Sequence, residues 1–267
     1  MSPAAKPKIA VYKFSSCDGC QLSILNLEDE LIDLAEAVDI AYFLEATRTE
    51  KPGPYDVGIV EGSITTPHET ERIKQIREDV RILVSLGTCA TAGGIQALRN
   101  FTNASDLAEK VYAHPEYLHY LDTATPINEH VQVDMEVWGC PVSKKTVLEV
   151  LTAVLQGRRP NFPPSPVCLE CKRNGTVCVL VALGIPCMGP VVHGGCGAIC
   201  PANGRGCYGC FGPSSQANFN ALVNVIQPME RFSGEALLLI RNFSGYAPAF
   251  RKAADQAIKL GLEKEAK

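Results

Sequence analysis

The arrangement of the cysteines constrains this chain more than any other feature of its sequence. Twelve cysteines occur among 267 residues, and their positions divide them into three sets of four. The first quartet is Cys17, Cys20, Cys89 and Cys140; the second quartet is Cys168, Cys171, Cys178 and Cys187; the third quartet is Cys196, Cys200, Cys207 and Cys210. Four thiolates are the ligand set of one cubane iron–sulfur cluster. Three such clusters would form a row of one-electron sites, so the cysteines indicate an electron-transfer protein.

Charge and hydropathy narrow the choice of partners and of compartment. A net charge of −4 provides no basic patch for nucleic acid. The most apolar stretches, Val177–Gly184 and Ala236–Ile240, are much shorter than the roughly 20 residues that cross a bilayer. The segment Met1–Phe14 lacks the apolar core of a secretory signal peptide. We therefore expect no nucleic-acid or membrane partner and a cytoplasmic location, where thiols stay reduced and serve as metal ligands rather than forming disulfides.

Predicted strands and helices alternate in the first part of the chain. The predicted strands are Lys8–Phe14, Asp39–Phe43, Tyr55–Glu61, Arg81–Leu86 and Val131–Trp138. The predicted helices are Gln21–Ala37, Pro67–Asp79, Ala90–Asn100 and Ser143–Gln156. This alternation predicts an α/β fold with a doubly wound, mostly parallel sheet. An inserted helix and loop at residues 102–130 do not fit the alternation.

A proline-rich segment marks the boundary between two predicted domains, residues 1–159 and 160–267. Four prolines occur between Pro160 and Pro166, where they end the preceding helix and form a stiff linker. Beyond it, Cys168–Gly212 is rich in Gly, Pro and Cys and has little periodicity, so we expect bound metal to organise it. The second domain is thus predicted to be smaller, irregular and partly helical, with later helices at Ser214–Ile226, Gly234–Arg241 and Pro248–Leu260.

The first quartet is predicted to form one site at an edge of the sheet. All four cysteines come just after the carboxyl end of a predicted strand, which is the edge where open α/β sheets bind ligands. Predicted helices begin after Cys20 and Cys89, and their amino-terminal ends favour an anionic thiolate site. An alternative is that Cys89 and Cys140 are small buried apolar residues. The shared position of all four cysteines favours the metal site.

The second and third quartets leave zinc as an alternative to iron. Their spacings are C-x2-C-x6-C-x8-C and C-x3-C-x6-C-x2-C. Zinc ribbons pair two C-x2-C knuckles, whereas each of these quartets contains one, so iron–sulfur clusters are favoured. His193 lies close to Cys196 and is an alternative ligand. Because both quartets are complete without it, we expect His193 to lie near a ligand or at the surface.

Four short motifs resemble those of a known family. They are Cys17–Cys20, Glu61–Ile64, Gly87–Ala90 followed by Gly93-Gly94, and Gly139–Pro141. In this order they resemble the small subunit of nickel–iron hydrogenases, from the first strand through Gly212. Within that family the chain is most similar to the soluble cytoplasmic group, which includes the delta subunit of sulfhydrogenases and the NAD(P)-linked hydrogenases.

The resemblance implies a flavodoxin-like first domain and three 4Fe-4S clusters. The first quartet would bind the proximal cluster, facing the nickel–iron site of a separate large subunit. The second quartet would bind the distal cluster and the third quartet the medial one. Cys168 stands where exported members of the family have a histidine, and Cys200 stands where they have a proline. All three clusters are therefore expected to have comparatively low potentials.

The implied function is that of a hydrogenase subunit with oxidoreductase activity. It would conduct electrons between the large subunit and a partner that reduces NAD(P) or polysulfide, through further iron–sulfur and flavin subunits. This chain offers no nickel site, so the reaction of dihydrogen is expected in the partner. Glu61, at the end of a predicted strand, is expected to hold the subunit interface or relay a proton, the alternative being an exposed strand-end glutamate.

Two other functions are compatible with parts of the sequence. Subunits of complex I-like quinone oxidoreductases share the first domain, but they have two adjacent cysteines in the first motif and lack the later cluster domain. A zinc-stabilised interaction module without redox activity is the second alternative. A nucleotide site in this chain is disfavoured, because no Gly-x-Gly-x-x-Gly motif follows a predicted strand.

Overall fold

A parallel sheet forms the centre of the first unit of the chain. The computed structural model describes residues 6–162, 164–229 and 234–259. Within these residues, five parallel strands form one sheet in the order β2-β1-β3-β4-β5. The strands are β1 (Lys8–Lys13), β2 (Asp39–Phe43), β3 (Tyr55–Glu61), β4 (Val80–Leu86) and β5 (Met135–Val137). This strand order is the flavodoxin-like, doubly wound one, so the predicted fold class is confirmed.

The α-helices of the first unit connect these strands. They are α1 (Gly19–Leu25), α2 (Asp29–Ala37), α3 (Pro67–Asp79), α4 (Gly87–Ala92), α5 (Ala104–Val111) and α6 (Lys144–Leu155). Helix α3 begins where the sequence predicts, because Thr66 and Glu69 form a capping box and Pro67 occupies the first turn. The Ser143 side chain caps α6 by accepting a hydrogen bond from the Thr146 amide.

Two predicted helices are interrupted in the structure. The prediction of one helix over Gln21–Ala37 is wrong, because α1 and α2 are separated by a turn in which Glu28 has a positive φ of 59°. The turn lets Leu27 pack in the core while Leu22, on the predicted apolar face, is 50% exposed. The prediction over Ala90–Asn100 is also wrong: α4 ends before two glycines with positive φ, and a 3₁₀-helix follows over Ile95–Phe101.

Both faces of the sheet are covered by apolar side chains. On one face Ile9, Val57 and Val84 belong to a buried cluster with Leu151 of α6. The intervening residues belong to a second buried cluster on the other face. Burial on both faces explains why the strands are nearly continuous apolar runs, as in other parallel sheets. Each fully buried aliphatic side chain contributes about 1.5–3 kcal/mol to this core.

The segment 102–130, which the alternation did not place, contains α5 and two 3₁₀-helices, Pro115–Tyr117 and Ile127–Glu129. It is tied to the end of β3 through a pair of backbone hydrogen bonds between Ile64 and Thr125, at 2.9 and 3.0 Å. The strand after it is shorter than predicted: β5 covers three residues rather than Val131–Trp138. The insertion therefore borders the carboxyl edge of the sheet.

The second unit begins at Asn161, since the chain divides into compact units of residues 1–160 and 161–267. Its α-helices within the described residues are α7 (Val167–Arg173), α8 (Val179–Leu183), α9 (Ile199–Ala202), α10 (Phe219–Ile226), α11 (Glu235–Ile240) and α12 (Pro248–Lys259). Pro163 of the predicted linker and Leu260 of the last predicted helix lie outside the described residues. No helix in the described ranges has the length and apolar character needed to span a membrane.

Candidate functional site

The first quartet lies at the carboxyl edge of the parallel sheet. Cys17 and Cys20 follow β1, Cys89 follows β4 and Cys140 follows β5. Because β1 and β3 are neighbours, this edge includes the point where the strand order reverses, which is the usual ligand position in such sheets. Cys20 and Cys89 lie inside the first turns of α1 and α4, whereas the sequence predicted that these helices begin after them.

The sulfurs of the first quartet influence one another electrostatically. Burial is the main reason that the pKa of Cys20 is raised, and the charges of Glu61, Cys89 and Cys140 raise it further. Burial raises the pKa of Cys89 to about 12, with added effects from Cys140 and Cys17. Thiols whose pKa is raised in this way, here Cys20 and Cys89, do not ionise at neutral pH unless a cation replaces their protons. The sheet therefore places the four predicted cysteines at one edge, where Cys20 and Cys89 are each within electrostatic range of other members of the quartet.

Glycine backbone lies close beside two of these sulfurs. A Cβ added to Gly87 would overlap Cys20 Sγ, and one added to Gly94 would lie 2.6 Å from Cys89 Sγ. Both glycines have positive φ, so the backbone conformation also favours glycine there. The same geometry keeps side chains away from the sulfurs. A four-cysteine donor set with glycine backbone close beside its sulfurs fits an iron–sulfur cluster.

Glu61 is not the exposed strand-end glutamate of the alternative prediction, since it is 1% exposed. Its two carboxylate oxygens accept hydrogen bonds from the backbone amides of Cys20 at 3.0 Å and Gln21 at 3.2 Å. Burial raises the pKa of Glu61, and the hydrogen bonds from these amides oppose that shift. Glu61 therefore holds the first turn of α1, which carries Cys20, against the end of β3.

Gln96 is a neighbour of the first quartet that the sequence analysis missed. Its Oε1 accepts a hydrogen bond from the Cys89 thiol at 3.5 Å, while its Nε2 donates to the Ser15 carbonyl at 2.7 Å. The side chain thus joins the segment after β1 to the segment after β4. The only signal in the sequence was the Gly93-Gly94 pair, which turns the chain so that the following residues return to Cys89.

The second quartet gathers around α7 and α8. Cys168 and Cys171 lie on α7, and Cys178 is the residue before α8. Burial raises the pKa of Cys168 to about 11, with further effects from Cys187, Cys171 and Cys178 in that order. A Cβ added to Gly189 would lie 3.4 Å from Cys187 Sγ and 3.5 Å from Cys168 Sγ, so a glycine again adjoins two sulfurs.

The third quartet lies beside the second. Cys200 is on α9, and burial is the main cause of the raised pKa values of Cys196 and Cys207. Cys207 is also influenced by Cys210 and Cys196 of its own quartet and by Cys187 of the second quartet. The electrostatic neighbours of Cys207 thus come from both quartets.

His193 is half-buried three residues before Cys196, and that it is not a ligand stays a prediction. Its backbone amide donates to the Gly212 carbonyl at 3.1 Å, and burial alone lowers the pKa of its imidazole. No disulfide joins any of the twelve cysteines, all of which lie in described residues. Within the described part of the chain, no three or more His, Cys, Asp or Glu side chains form a group that would hold a metal ion. The fit to clusters therefore depends on the thiol sets and the adjoining glycines.

Comparisons with known proteins agree with this architecture. Residues 17–154 match the family model described as the 20 kDa subunit of NADH ubiquinone oxidoreductase. The sulfhydrogenase 2 subunit delta of Pyrococcus furiosus is 38% identical over 220 residues, which cover 82% of this chain and 92% of that protein.

Two solved structures extend the comparison. A chain of an NAD⁺-reducing [NiFe]-hydrogenase in the H₂-reduced state has a TM-score of 0.55 and 30% identity, covering 59% of this chain and 96% of its own. An actinobacterial-type NiFe-hydrogenase from Ralstonia eutropha H16 shares the fold over 100% of this chain and 94% of its own, with a TM-score of 0.57 and 19% identity. The chain therefore belongs to the family of the 20 kDa subunit of NADH ubiquinone oxidoreductase and, within it, to the small, electron-transfer subunits of nickel–iron hydrogenases.

Proposed function

We propose that this subunit carries three 4Fe-4S clusters, one on each cysteine quartet. The first cluster would belong to the domain of residues 1–159 and the other two to the domain of residues 160–267. The observation that carries the proposal is the grouping of the thiols: one quartet lies at the carboxyl edge of the sheet, and the other two adjoin each other in the second unit. When bound, a 4Fe-4S cluster accepts and releases one electron at a time.

The chain's own backbone supplies hydrogen bonds to the sulfurs. Amides near Cys187 come from Gly189 and Cys207, and they oppose the effect of burial on its pKa. Ala198 and Ile199 do the same for Cys196. Hydrogen bonds of this kind stabilise thiolates and adjust the potential of the cluster that they hold. These amides would therefore stabilise the thiolates that hold a cluster at Cys187 and Cys196.

The electron path is proposed to run between the nickel–iron site of the large subunit and a partner that reduces NAD(P) or polysulfide in the cytoplasm. Support comes from the names of two similar proteins, a sulfhydrogenase subunit and an NAD⁺-reducing hydrogenase. Further iron–sulfur and flavin subunits would complete the path. The complex I-like alternative shares the first unit, but it does not account for eight cysteines after residue 160.

Glu61 is proposed to act at the interface with the large subunit or in proton relay beside the first quartet. Its burial within this chain and its bonds to the Cys20 and Gln21 amides support a role at the first quartet itself. A contribution to the subunit interface would then be made through the Cys17–Cys20 loop, since the carboxylate is already occupied by two amides.

Anaerobic purification of the native complex tests the proposed function. We expect about twelve irons and as many acid-labile sulfides per chain, with nickel in a co-purifying large subunit. Assays of hydrogen-dependent reduction of NAD, NADP and polysulfide would then identify the acceptor. A colourless zinc protein, or a complex without nickel, would contradict the proposal. Substituting Cys168 or Cys210 by alanine provides matched controls, because each is expected to remove about four irons from a different quartet.

A further inference from the structure

Glu170 joins the second and third quartets. It lies on α7 between Cys168 and Cys171, and its carboxylate contacts the loop Gly194–Ala198, which contains Cys196. Oε1 accepts a hydrogen bond from the Gly195 amide at 2.8 Å, and Oε2 accepts one from the Ala198 amide at 3.2 Å. Oε2 also lies 3.8 Å from Cys196 Sγ. One side chain of the second-quartet helix therefore binds the backbone on both sides of a third-quartet cysteine.

The loop depends on partners of this kind because its backbone is irregular. Gly195, Gly197 and Ala198 have φ values of 130°, 71° and 56°. Ala198 is a non-glycine residue in the left-handed region, and it precedes α9, which carries Cys200. The position of Ala198 therefore affects two cysteines of the third quartet. Its amide is held by Glu170, and its side chain is fully buried.

Two other contacts fix the same loop on α7. Asn174, at the end of the helix, donates from Nδ2 to the Gly197 carbonyl at 3.0 Å. A Cβ added to Gly194 would lie 3.2 Å from Glu170 Cδ, so the loop backbone packs directly against the carboxylate. Glu170 accepts hydrogen bonds from the loop, and Asn174 donates one to it. Several contacts therefore hold the loop against α7, rather than a single surface hydrogen bond.

The charge of Glu170 also lies close to the sulfur of Cys196. Its Oε2 lies 3.8 Å from Cys196 Sγ, so a carboxylate stands directly beside this sulfur. A negative charge that disfavours a thiolate also disfavours an additional electron on a group bound to that thiolate. Near a one-electron site, this charge would lower the reduction potential. The backbone amides of Ala198 and Ile199 act in the opposite direction.

We propose that Glu170 is a positioning residue for the third quartet: it fixes the Cys196 loop on the helix of the second quartet and lowers the reduction potential of the third-quartet site. The inference rests on the proposed function, because it assumes that the third quartet binds a cluster. Glu170 is not itself a ligand in this arrangement, since both of its oxygens are occupied by backbone amides.

The test uses the full chain, purified anaerobically with the subunits that accompany it, and two substitutions. Glu170→Ala removes both acceptors and is expected to lose about four irons, those of the third quartet. Glu170→Gln keeps the shape of the side chain and removes its charge. It also places the side-chain NH₂ group against one of the two backbone amides, Gly195 or Ala198, that donate to the carboxylate. We expect it to retain iron and to shift the reduction potential of the third-quartet site upward in an EPR-monitored titration. Cys168→Ala and Cys210→Ala assign the signals, because each disrupts one quartet.

Asp255→Asn is the matched control for the charge. Asp255 is exposed on α12 of the same unit, and its substitution changes the net charge by the same amount. The proposal is supported if the third-quartet site loses iron, or shifts its reduction potential, by more than the control does. It would be overturned by a change in iron content or potential that is confined to the second quartet or is equal at both quartets. No change beyond the control would overturn it as well.

Hydrogen exchange provides a readout that needs no cluster. The Gly195 and Ala198 amides are expected to exchange roughly threefold to tenfold faster in Glu170→Ala than in Asp255→Asn, because they lose their acceptor. Unchanged exchange would contradict the positioning role whether or not iron is present. If the wild-type chain contains no iron but these amides respond as expected, the proposed function fails while the contact between Glu170 and the loop is retained.

Discussion

The backbone amide of Cys207 donates a hydrogen bond to Cys187 Sγ at 3.2 Å, which connects a third-quartet residue to a second-quartet sulfur. In the same place the Met188 amide donates to the Cys207 carbonyl at 3.0 Å. The two cysteines are 20 positions apart in sequence. Because the acceptor of the first bond is a proposed ligand and its donor belongs to another proposed ligand, we expect a change at one site to affect the other.

A comparison of Cys187→Ala with Cys168→Ala tests this connection. Both substitutions are expected to remove about four irons, because each deletes one thiolate of the second quartet. Only Cys187→Ala also removes the acceptor of the Cys207 amide. We therefore expect the reduction potential of the third-quartet cluster to shift in Cys187→Ala relative to Cys168→Ala. Equal potentials in the two variants, measured by EPR-monitored titration, would show that the hydrogen bond has no effect on the neighbouring site.

Gly87 is expected to tolerate no side chain, because an added Cβ would overlap Cys20 Sγ. Gly157→Ala is the matched control, since Gly157 also has a positive φ, 65° against 86°, but an added Cβ there meets nothing within 4 Å. Both substitutions carry a backbone penalty of about 1–2 kcal/mol. We expect Gly87→Ala alone to lose the iron of the first quartet. Equal iron contents in the two variants would mean that glycine is required at position 87 for its backbone conformation and not for its closeness to Cys20 Sγ.

Much of the first unit follows from local sequence. The runs of apolar residues at Asp39–Phe43 and Tyr55–Glu61 coincide with β2 and β3, and the capping box at Thr66 fixes the start of α3. Burial on both faces makes a parallel strand recognisable without its neighbours. Because parallel strands share one carboxyl edge, strand positions alone place the first quartet at one end of the sheet.

Local sequence does not predict contacts between distant segments. Gln96 reaches the Ser15 carbonyl across 81 positions, and Glu170 reaches the Gly195 amide across 25. Both side chains act on backbone groups of a distant segment, so residue type alone gives no warning of their roles. The helix break at Glu28 was missed for a similar reason: it is decided by the packing of Leu27 in the core rather than by a helix-breaking residue.

Substitution of Glu61 tests its role as a support for the first quartet. Glu61→Gln preserves the volume but places an NH₂ group against the amide of Cys20 or Gln21, leaving one buried donor without an acceptor. We expect the free energy of unfolding to fall by about 1–3 kcal/mol, and Glu61→Ala to cost more. The spectrum of the first-quartet cluster should change in both variants.

The control for this experiment is Glu71→Gln, on the exposed face of α3, where the carboxylate forms a surface ion pair with Lys74 at 2.7 Å. Such pairs contribute about 0–1 kcal/mol. Urea denaturation and EPR of the anaerobic protein measure the two effects separately. If Glu61→Gln were as stable as Glu71→Gln and had an unchanged spectrum, the hydrogen bonds to the Cys20 and Gln21 amides would have no part in supporting the site.

His130 is expected to make the first unit less stable in acid. Burial lowers the pKa of its imidazole, whose Nε2 lies 2.7 Å from Thr125 Oγ1 beside the Ile64 bridge. Above the pKa of histidine in the unfolded chain, about 6.5, such a histidine does not reduce the free energy of unfolding. Stability then falls as the pH decreases below that value, because the unfolded chain binds the proton more readily. His130→Gln should retain the contact with Thr125 and flatten the decline between about pH 7 and about pH 5.

His68→Gln, at an exposed position on α3, is the control. Chemical denaturation over this pH range checks the prediction, and parallel curves for wild type and His130→Gln would contradict it.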